Sequence, residues 1–269
     1  MKELNKIQIK KIQLEIIDSI HEFCMNRGLR YSLTYGTLIG AIRHQGYIPW
    51  DDDIDIMMPR PDYEQFVIGY QGYNKNHFVQ THKNDKSYFL PFAKVYDNRT
   101  EQIIFPTKTG VFVDVFPIDG FPDTEEETKV YLKKKFHVVF HDILYTCSNN
   151  SYRKGNKLLI ALKYIGKRIL YPSRKRGIEK HDAIVGSYPY ETANYAGVAS
   201  NTIWERSRFP KKVFEDYKTT LFEGRQLNII NAYDTFLTTY FGDYMQLPPE
   251  EERVPGHAAP VYWKEGYIK

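Results

Sequence analysis

The sequence predicts an α/β (α+β) fold in which a small mixed sheet is flanked by helices and is followed by a mainly helical C-terminal half. Up to about residue 120, short segments of alternating polarity are interspersed with helix-periodic segments, and from Thr124 onward helical periodicity predominates. The chain has 269 residues, 42% of them hydrophobic, which suffices for a core with an elaborated second lobe. We therefore expect a core over 1–122 and a helical subdomain over 123–269 packed on it.

The first predicted elements are a helix, a strand and a second helix. Apolar residues recur at helical spacing over 9–23 and predict an amphipathic helix that ends at Gly28. The segment RYSLTYG alternates as a strand that breaks at Gly36, and a helix is expected over 37–44.

The later elements follow the same rules. DIDIMM alternates as a strand, and Pro59 and Pro61 mark the start of a helix. Further predicted elements are strands within 88–97 and 110–120, a helix from Thr124 to about Tyr145, a hairpin over 218–230 turning at Glu223-Gly224, and a helix to about Tyr240.

Composition excludes several classes of protein. A net charge of +4 does not indicate nucleic-acid binding, and Cys24 and Cys147 cannot form a disulfide scaffold or a four-ligand zinc site. The sequence shows neither a signal peptide nor a membrane-spanning apolar run, so a cytoplasmic location is expected. The basic, helix-periodic segment 151–176 is either a solvated helix or a peripheral contact with the cytoplasmic face of the membrane.

The segment GYIPWDDDIDIMMP places four carboxylates in five positions. On a strand, Asp51, Asp53 and Asp55 would share one side at a spacing of about 6.5–7 Å, where two carboxylates can converge on divalent cations. An EF-hand loop is excluded because Ile56 stands where glycine is needed. A plain acidic turn and the Asp-x-Asp of a manganese-dependent glycosyltransferase remain alternatives.

The segment TYGTLIGAIRHQG, ahead of the acids, predicts a phosphate cradle. Gly36 would let a phosphate approach the backbone, Thr37 could donate a hydrogen bond, and the helix that follows has free amides and a favourable dipole. A third carboxylate is expected on a neighbouring strand. Asp114 fits because an acid between two phenylalanines of VFVDVF is costly unless it is paired or ligating, whereas Asp119 in PIDG is typical of a turn.

The blocks YGTLIGAIRHQGYIPWDDDIDIMMPRPDYEQF, LPFAKVYDNRT, VFVDVFPIDGF and FGDYMQLPPEEER together resemble the LicD family. These are phosphotransferases of the nucleotidyltransferase (polymerase beta-like) superfamily, related to fukutin and fukutin-related protein. Residues about 30–120 carry most of the match. The resemblance implies a nucleotidyltransferase core and the transfer of phosphocholine from CDP-choline to a lipid-linked glycan, a teichoic acid or lipopolysaccharide precursor, with release of CMP.

The resemblance also implies roles for individual residues. Asp53, Asp55 and Asp114 stand where the family holds Mg²⁺ (or Mn²⁺) and performs catalysis, and Gly36 and Thr37 occupy its substrate-binding turn. Lys94 falls in the LPFAKVYD block, where a cation would face the diphosphate.

Other substrate contacts are open to several assignments. Arg43 and Arg99 are candidates for phosphate binding, although a structural ion pair is nearly as plausible for each. Choline is recognised through aromatic faces, for which Trp50 and Tyr96 are candidates; Tyr47, Trp204, Tyr262 and Trp263 are further options.

The roles of three histidines and the exact type of transfer reaction are also open. His137 and His141 have the spacing of a shared zinc site, but no neighbouring acid or cysteine supports one, and His257 is suggested only by family context. Another nucleotide-dependent transfer, nucleotidyl or glycosyl, is the main alternative reaction. A non-catalytic glycan-binding protein is disfavoured, because a binding module gains nothing from mutually repelling acids.

Overall fold

The computed structural model describes residues 2–88, 90–104, 107–134, 174–200, 206–253 and 259–267. Its helices are α1 (Lys6–Arg27), α2 (Tyr35–His44), α3 (Arg60–Gly69), α4 (125–134), α5 (Arg174–Val185) and α6 (Tyr233–Phe241). Its strands are β1 (Lys2–Glu3), β2 (Ser32–Leu33), β3 (Asp55–Pro59), β4 (His77–Gln80), β5 (Ala93–Asp97), β6 (Thr100–Ile104), β7 (Thr107–Thr109), β8 (Phe112–Phe121), β9 (Tyr195–Gly197), β10 (Phe209–Pro210), β11 (Tyr217–Phe222), β12 (Arg225–Ile230) and β13 (Val261–Trp263).

Helix α1 forms as its sequence predicts. Asn5 caps its first turn by accepting a hydrogen bond from the Gln8 amide, and the Gln8 side chain caps the Asn5 amide in return. At the other end Gly28 adopts the left-handed conformation, with φ of 64°, which glycine reaches without steric cost. The apolar stripe that includes Ile16 and Ile20 is fully buried.

Strand β8 is the centre of the main sheet, and all ten of its residues are buried. Along its first half it pairs with β3 in parallel and with β5 in the antiparallel sense, and its last residues pair with β9. Strands β2, β4 and β10 extend the sheet outward from β3, β5 and β9. The small mixed sheet flanked by helices is thereby confirmed, whereas the nucleotidyltransferase label stays a prediction.

A second sheet has the order β1-β13-β6-β7, and β11 and β12 form a separate hairpin. The hairpin turns at Glu223-Gly224 as predicted, with both residues at positive φ. The described part of the second half combines three helices with five strands and is therefore less purely helical than expected. Because β9 and β13 join strands of the first half, the two predicted ranges share both larger sheets. The boundary at residue 122 stays a prediction.

Three predicted strands begin or continue differently from expectation. The strand expected within 88–97 begins only at Ala93, and the acidic strand begins only at Asp55. The predicted turn at Asp119 is wrong, because β8 continues through it to Phe121. Its carboxylate is buried and accepts a hydrogen bond of 2.6 Å from the Arg60 guanidinium, which offsets the cost of placing the charge in a strand.

Candidate active site

Two carboxylates of the site are fixed by neighbouring strands. Asp55 is the first residue of β3, and it stands in register with Asp114 on the parallel strand β8. The expectation that Asp51, Asp53 and Asp55 alternate along one strand is wrong, because residues 51–54 have no regular secondary structure. The acids nevertheless meet, since a loop leads directly into the strand that carries Asp55.

The acid loop itself holds a cluster of three carboxylates. Among the described residues, oxygens of Asp51, Asp52 and Asp53 all lie within 4.8 Å of one another. Asp55 and Asp114 stand outside this trio, although the charges of Asp53 and Asp114 both act on Asp55. The loop is tied to α1 by Gln13, whose side-chain amide donates to the Asp52 carbonyl oxygen at 2.8 Å.

The acids raise one another's pKa values. Burial, and then the charge of Asp53 and a hydrogen bond with it, raises the pKa of Asp51 to about 7. Burial, followed by the charges of Asp53 and Asp114, raises the pKa of Asp55 well above its usual value. Carboxylate oxygens are the ligands that Mg²⁺ and Mn²⁺ prefer, and a cation would relieve this repulsion, so the donor set fits a divalent ion.

Asp114 has a cationic partner from the neighbouring strand. The Lys94 ammonium lies 2.5 Å from its carboxylate oxygen, and both side chains are almost completely buried. Lys94 stands in register with Asp114 on β5, and its ammonium also lies 3.4 Å from the centre of the Phe112 ring. The acid between two phenylalanines is therefore paired, and the lysine expected near the diphosphate is inside the acid site.

The turn between β2 and α2 lies directly against the acids. The Asp55 amide donates to the Thr37 hydroxyl at 2.9 Å, and a Cβ at Gly36 would lie 2.7 Å from an oxygen of Asp51. Only glycine fits at position 36 without displacing that carboxylate. The helix starts two residues earlier than expected, at Tyr35, which itself takes the positive φ of 46°.

Arg43 is not brought to the acids. It lies in the last turn of α2, eight residues after Tyr35, or about 12 Å along the helix axis. Its guanidinium donates to the carbonyl oxygens of Tyr244 and Gln246 at 2.7 and 3.2 Å. It therefore ties the end of α2 to the late segment FGDYMQLPPEEER.

The remaining candidates divide between the site and the scaffold. Trp50 adjoins the acid loop, and the Arg253 guanidinium lies 5.5 Å from its ring centre. Tyr96 packs against Phe78, with ring centres 6.2 Å apart. Arg99 forms ion pairs with the Asp97 and Glu15 carboxylates. It therefore makes the structural ion pair that was the alternative to phosphate binding.

Sequence patterns did not indicate Tyr88. Its side chain is buried, its hydroxyl has no hydrogen-bond partner among the described residues, and burial, followed by the charge of Asp114, raises its pKa well above the usual value. Thr34, the N-cap residue of α2, likewise has a buried hydroxyl without a partner in the described chain. Tyr88 stands outside the sequence blocks described above, so only the fold brings it to the acids. Thr34 opens the segment TYGTLIGAIRHQG, and its amide donates to the Asp55 carbonyl oxygen at 3.0 Å.

Some expectations concern residues outside the described ranges. These are His137, His141, His257, Trp204, Cys147 and segment 151–173 of the basic stretch. Among the described residues, no helix is both long and apolar enough to cross a membrane.

Clustered carboxylates beside a helix N-terminus are typical of enzymes that act on phosphate-bearing substrates. A family model described as LicD/FKTN/FKRP, nucleotidyltransferase domain, matches residues 28–149, which include the acid loop, Lys94 and Asp114. The lipopolysaccharide cholinephosphotransferase LicD of Haemophilus influenzae is 33% identical over 268 residues, covering 97% of this chain and 99% of the relative. An uncharacterized protein of Rickettsia typhi is 26% identical over 157 residues, covering 47% of this chain and 50% of the relative.

The chain therefore belongs to the LicD family of phosphotransferases. This confirms the resemblance drawn from the sequence blocks.

Proposed function

We propose that the protein transfers phosphocholine from CDP-choline to a sugar hydroxyl of a cell-surface glycan and releases CMP. The observation that carries the proposal is the similarity to the Haemophilus cholinephosphotransferase, which extends over 97% of the chain and therefore includes the whole acid site. The acceptor is a lipopolysaccharide or teichoic acid precursor.

The reaction exchanges a phosphoanhydride linkage of the donor for a phosphodiester linkage to the acceptor. The acceptor hydroxyl oxygen forms a bond to the choline-bearing phosphorus, and the bond from that phosphorus to the bridging oxygen breaks. The electron pair of the broken bond leaves with CMP. The hydroxyl proton passes to a carboxylate, for which Asp114 is the proposed acceptor.

Asp53, Asp55 and Asp114 are the proposed ligands of Mg²⁺ or Mn²⁺, and the position of Asp51 and Asp52 adds them as candidates. The cation, when bound, would neutralise diphosphate charge and lower the pKa of the attacking hydroxyl. The raised pKa values of Asp51 and Asp55 support such a role, because they reflect burial and then repulsion between carboxylates, both of which a bound cation would offset.

The other residues of the site bind and orient the donor. Gly36 and Thr37 place the N-terminus of α2 against the acids, where its free amides suit a phosphate. Lys94 offsets negative charge inside the site, since its ammonium already lies on Asp114. Trp50 and Tyr96 remain proposed substrate contacts. Arg43 holds the late segment, whose Arg253 guanidinium lies 5.5 Å from the centre of the Trp50 ring.

The test is a product analysis. Purified protein is incubated with CDP-choline, Mg²⁺ and a glycan acceptor, and CMP, nucleoside diphosphate and pyrophosphate are separated by chromatography. We expect acceptor-dependent CMP, and a decrease of about 10²–10³-fold in Asp55→Asn, which loses a carboxylate charge from the centre of the site. Asp216→Asn is the matched control, because this exposed acid contacts Asn231 and not the site.

A different product would refute the proposed reaction. Pyrophosphate would indicate nucleotidyl transfer, and a nucleoside diphosphate would indicate glycosyl transfer. If Asp55→Asn released CMP as fast as Asp216→Asn, the acid site would not be the catalytic site.

A cytoplasmic location, with segment 151–176 in peripheral contact with the inner membrane leaflet, is a further proposal. The segment contains lysines and arginines and no acid, which suits an anionic surface. Co-sedimentation with anionic vesicles should decrease at high salt if this contact is electrostatic.

A further inference from the structure

A cleft of about 550 Å³ opens on the side of the acid loop that faces the first turns of α1. Its apolar lining includes Ile7, Ile9, Pro260 and Val261, contributed by α1 and by the segment that forms β13. Trp50 lines it as well. The cleft therefore offers an apolar surface of the size that small-molecule sites use.

Asp51 and Asp52 line the same cleft, which connects it to the acid site. Asp51 borders both the cleft and the start of α2, because its carboxylate also lies against Gly36. The acid loop thus adjoins both the phosphate-binding turn and the cleft. A displacement at phosphorus needs the entering group in line with the leaving group, so the acceptor must reach the donor phosphate from a separate surface beside the acids.

Two lysines of α1 form a cationic wall in a cleft that three acids, Glu3, Asp51 and Asp52, also line. Lys6 and Lys10 both line it, one helical turn apart on α1. Lys10 is partly buried, and its ammonium lies 4.0 Å from the centre of the Tyr47 ring. An ammonium held in place on an aromatic ring is suited to a phosphate or carboxylate substituent.

Trp50 supplies the surface that a sugar ring requires. The apolar C–H groups on one face of a pyranose pack well on a flat indole ring. The hydroxyls of the sugar can then form hydrogen bonds with charged groups around the indole. The Arg253 guanidinium lies 5.5 Å from the centre of the Trp50 ring and helps to hold this side chain next to the acid loop.

We propose that this cleft, with Trp50 as its stacking surface and Lys6 and Lys10 as its cationic wall, binds the acceptor: a saccharide carrying phosphate or carboxylate groups. This inference rests on the proposed function for the identity of the reaction. It assigns the acceptor to the α1 side of the acid loop and the donor to the α2 side.

The test measures the two substrates separately. The probes are CDP-choline with Mg²⁺ and a core oligosaccharide released from lipopolysaccharide that lacks phosphocholine, both titrated by calorimetry. Lys6→Glu/Lys10→Glu and Ile7→Asn, at an exposed apolar residue of the lining, should weaken oligosaccharide binding by about tenfold or more and leave the CDP-choline affinity unchanged. Trp50→Ala is measured for oligosaccharide binding alone, because Trp50 is also a candidate choline contact. Two chemically different variants are used so that a folding defect in one does not decide the result.

Lys11→Glu is the matched control. It reverses one lysine charge in the same helix, but Lys11 lies on another flank of α1, where it lines a different cavity of about 520 Å³. We expect oligosaccharide binding by this variant to equal that of the wild type.

Other results would overturn the proposal. Weakened CDP-choline binding with intact oligosaccharide binding would assign the cleft to the donor, and loss of binding only to phosphatidylglycerol vesicles would make it a membrane contact. No oligosaccharide binding by the wild type, or equal binding by all variants, would refute an acceptor site here. CMP release is measured on the same preparations: if it is absent while the cleft variants still lose oligosaccharide binding, the donor assignment fails and the cleft assignment stands.

Discussion

At the scale of single residues, the acid site is a balance of charges that the fold holds close together. Asp51 and Asp53 share a hydrogen bond, whereas Asp114 is paired with the ammonium of Lys94. Burial and then the charge of Asp53 raise the pKa of Asp51 to about 7, so the protonation of the acid loop changes near neutral pH.

The metal-free protein should become less stable as pH rises. Between the usual value of 3.8 and about 7, folded Asp51 keeps a proton that the unfolded chain has lost, so the free energy of unfolding falls across this interval. In EDTA, we expect the melting temperature to be lower at pH 8 than at pH 5, and Mg²⁺ to restore it at pH 8 by binding only the folded state.

Asp51→Asn is the comparison that isolates this carboxyl, because the amide does not titrate. The difference in melting temperature between pH 5 and pH 8 should be smaller in this variant than in the wild type. Equal differences in the two proteins would show that Asp51 is not the group responsible.

At the scale of elements, short contacts between helices, strands and loops decide where the site residues lie. The hairpin of β11 and β12 docks on the end of α2, where the Glu223 carboxylate accepts from the Tyr47 amide at 3.1 Å and the Glu223 amide donates to the Gln45 carbonyl at 2.9 Å. Glu223 holds a positive φ of 49°, which these two bonds help to maintain.

Removing the Glu223 carboxylate should loosen this contact. Glu223→Ala keeps the unfavourable φ and leaves the Tyr47 amide without its partner, so we expect the free energy of unfolding to fall by about 1–3 kcal/mol in urea titrations. Glu215→Ala removes an exposed acid of the same region, and its effect should stay within about 0.5 kcal/mol. Equal effects of the two substitutions would contradict a docking role for Glu223.

The sequence patterns correctly predicted the elements whose local signals all indicate the same structure. They were wrong where a contact between distant residues determines the local structure. The α1 helix and the Glu223-Gly224 turn follow from periodicity and turn chemistry alone. Asp119 resembled a turn residue, but its pairing with Arg60 allows the strand to continue. The ion pair of Lys94 with Asp114 depends on the register of two strands twenty residues apart, which no local pattern encodes.

At the scale of the whole molecule, the ends of the described chain meet in one sheet. Strand β13 lies between β1 and β6, so Tyr262 stands opposite Glu3 on one side and Glu101 on the other. Leu4 continues this pairing, with its amide donating to the Val261 carbonyl oxygen at 2.8 Å. The wall of the proposed acceptor cleft is therefore built from both ends.

A proline at the centre of β13 should open this sheet locally. Tyr262→Pro removes a backbone donor between two neighbouring strands, so we expect faster hydrogen exchange at the amides of β1 and β6 and unchanged exchange in β3 and β8. Glu265→Pro, just outside the strand, should leave exchange in β1 and β6 close to that of the wild type. Uniformly faster exchange throughout the protein would indicate global destabilisation instead.

The pairing of β1 with β13 also sets an order of events during synthesis. The ribosome makes residues 2–3 long before their partners at 262–263, because all the residues between them are translated in the interval. Until then β1 has no neighbouring strand and the cleft lacks the wall that Val261 provides. The acids of the loop are thus translated before the β13 segment beside them. In the proposed arrangement, the residues of the donor side are made before the acceptor side is complete.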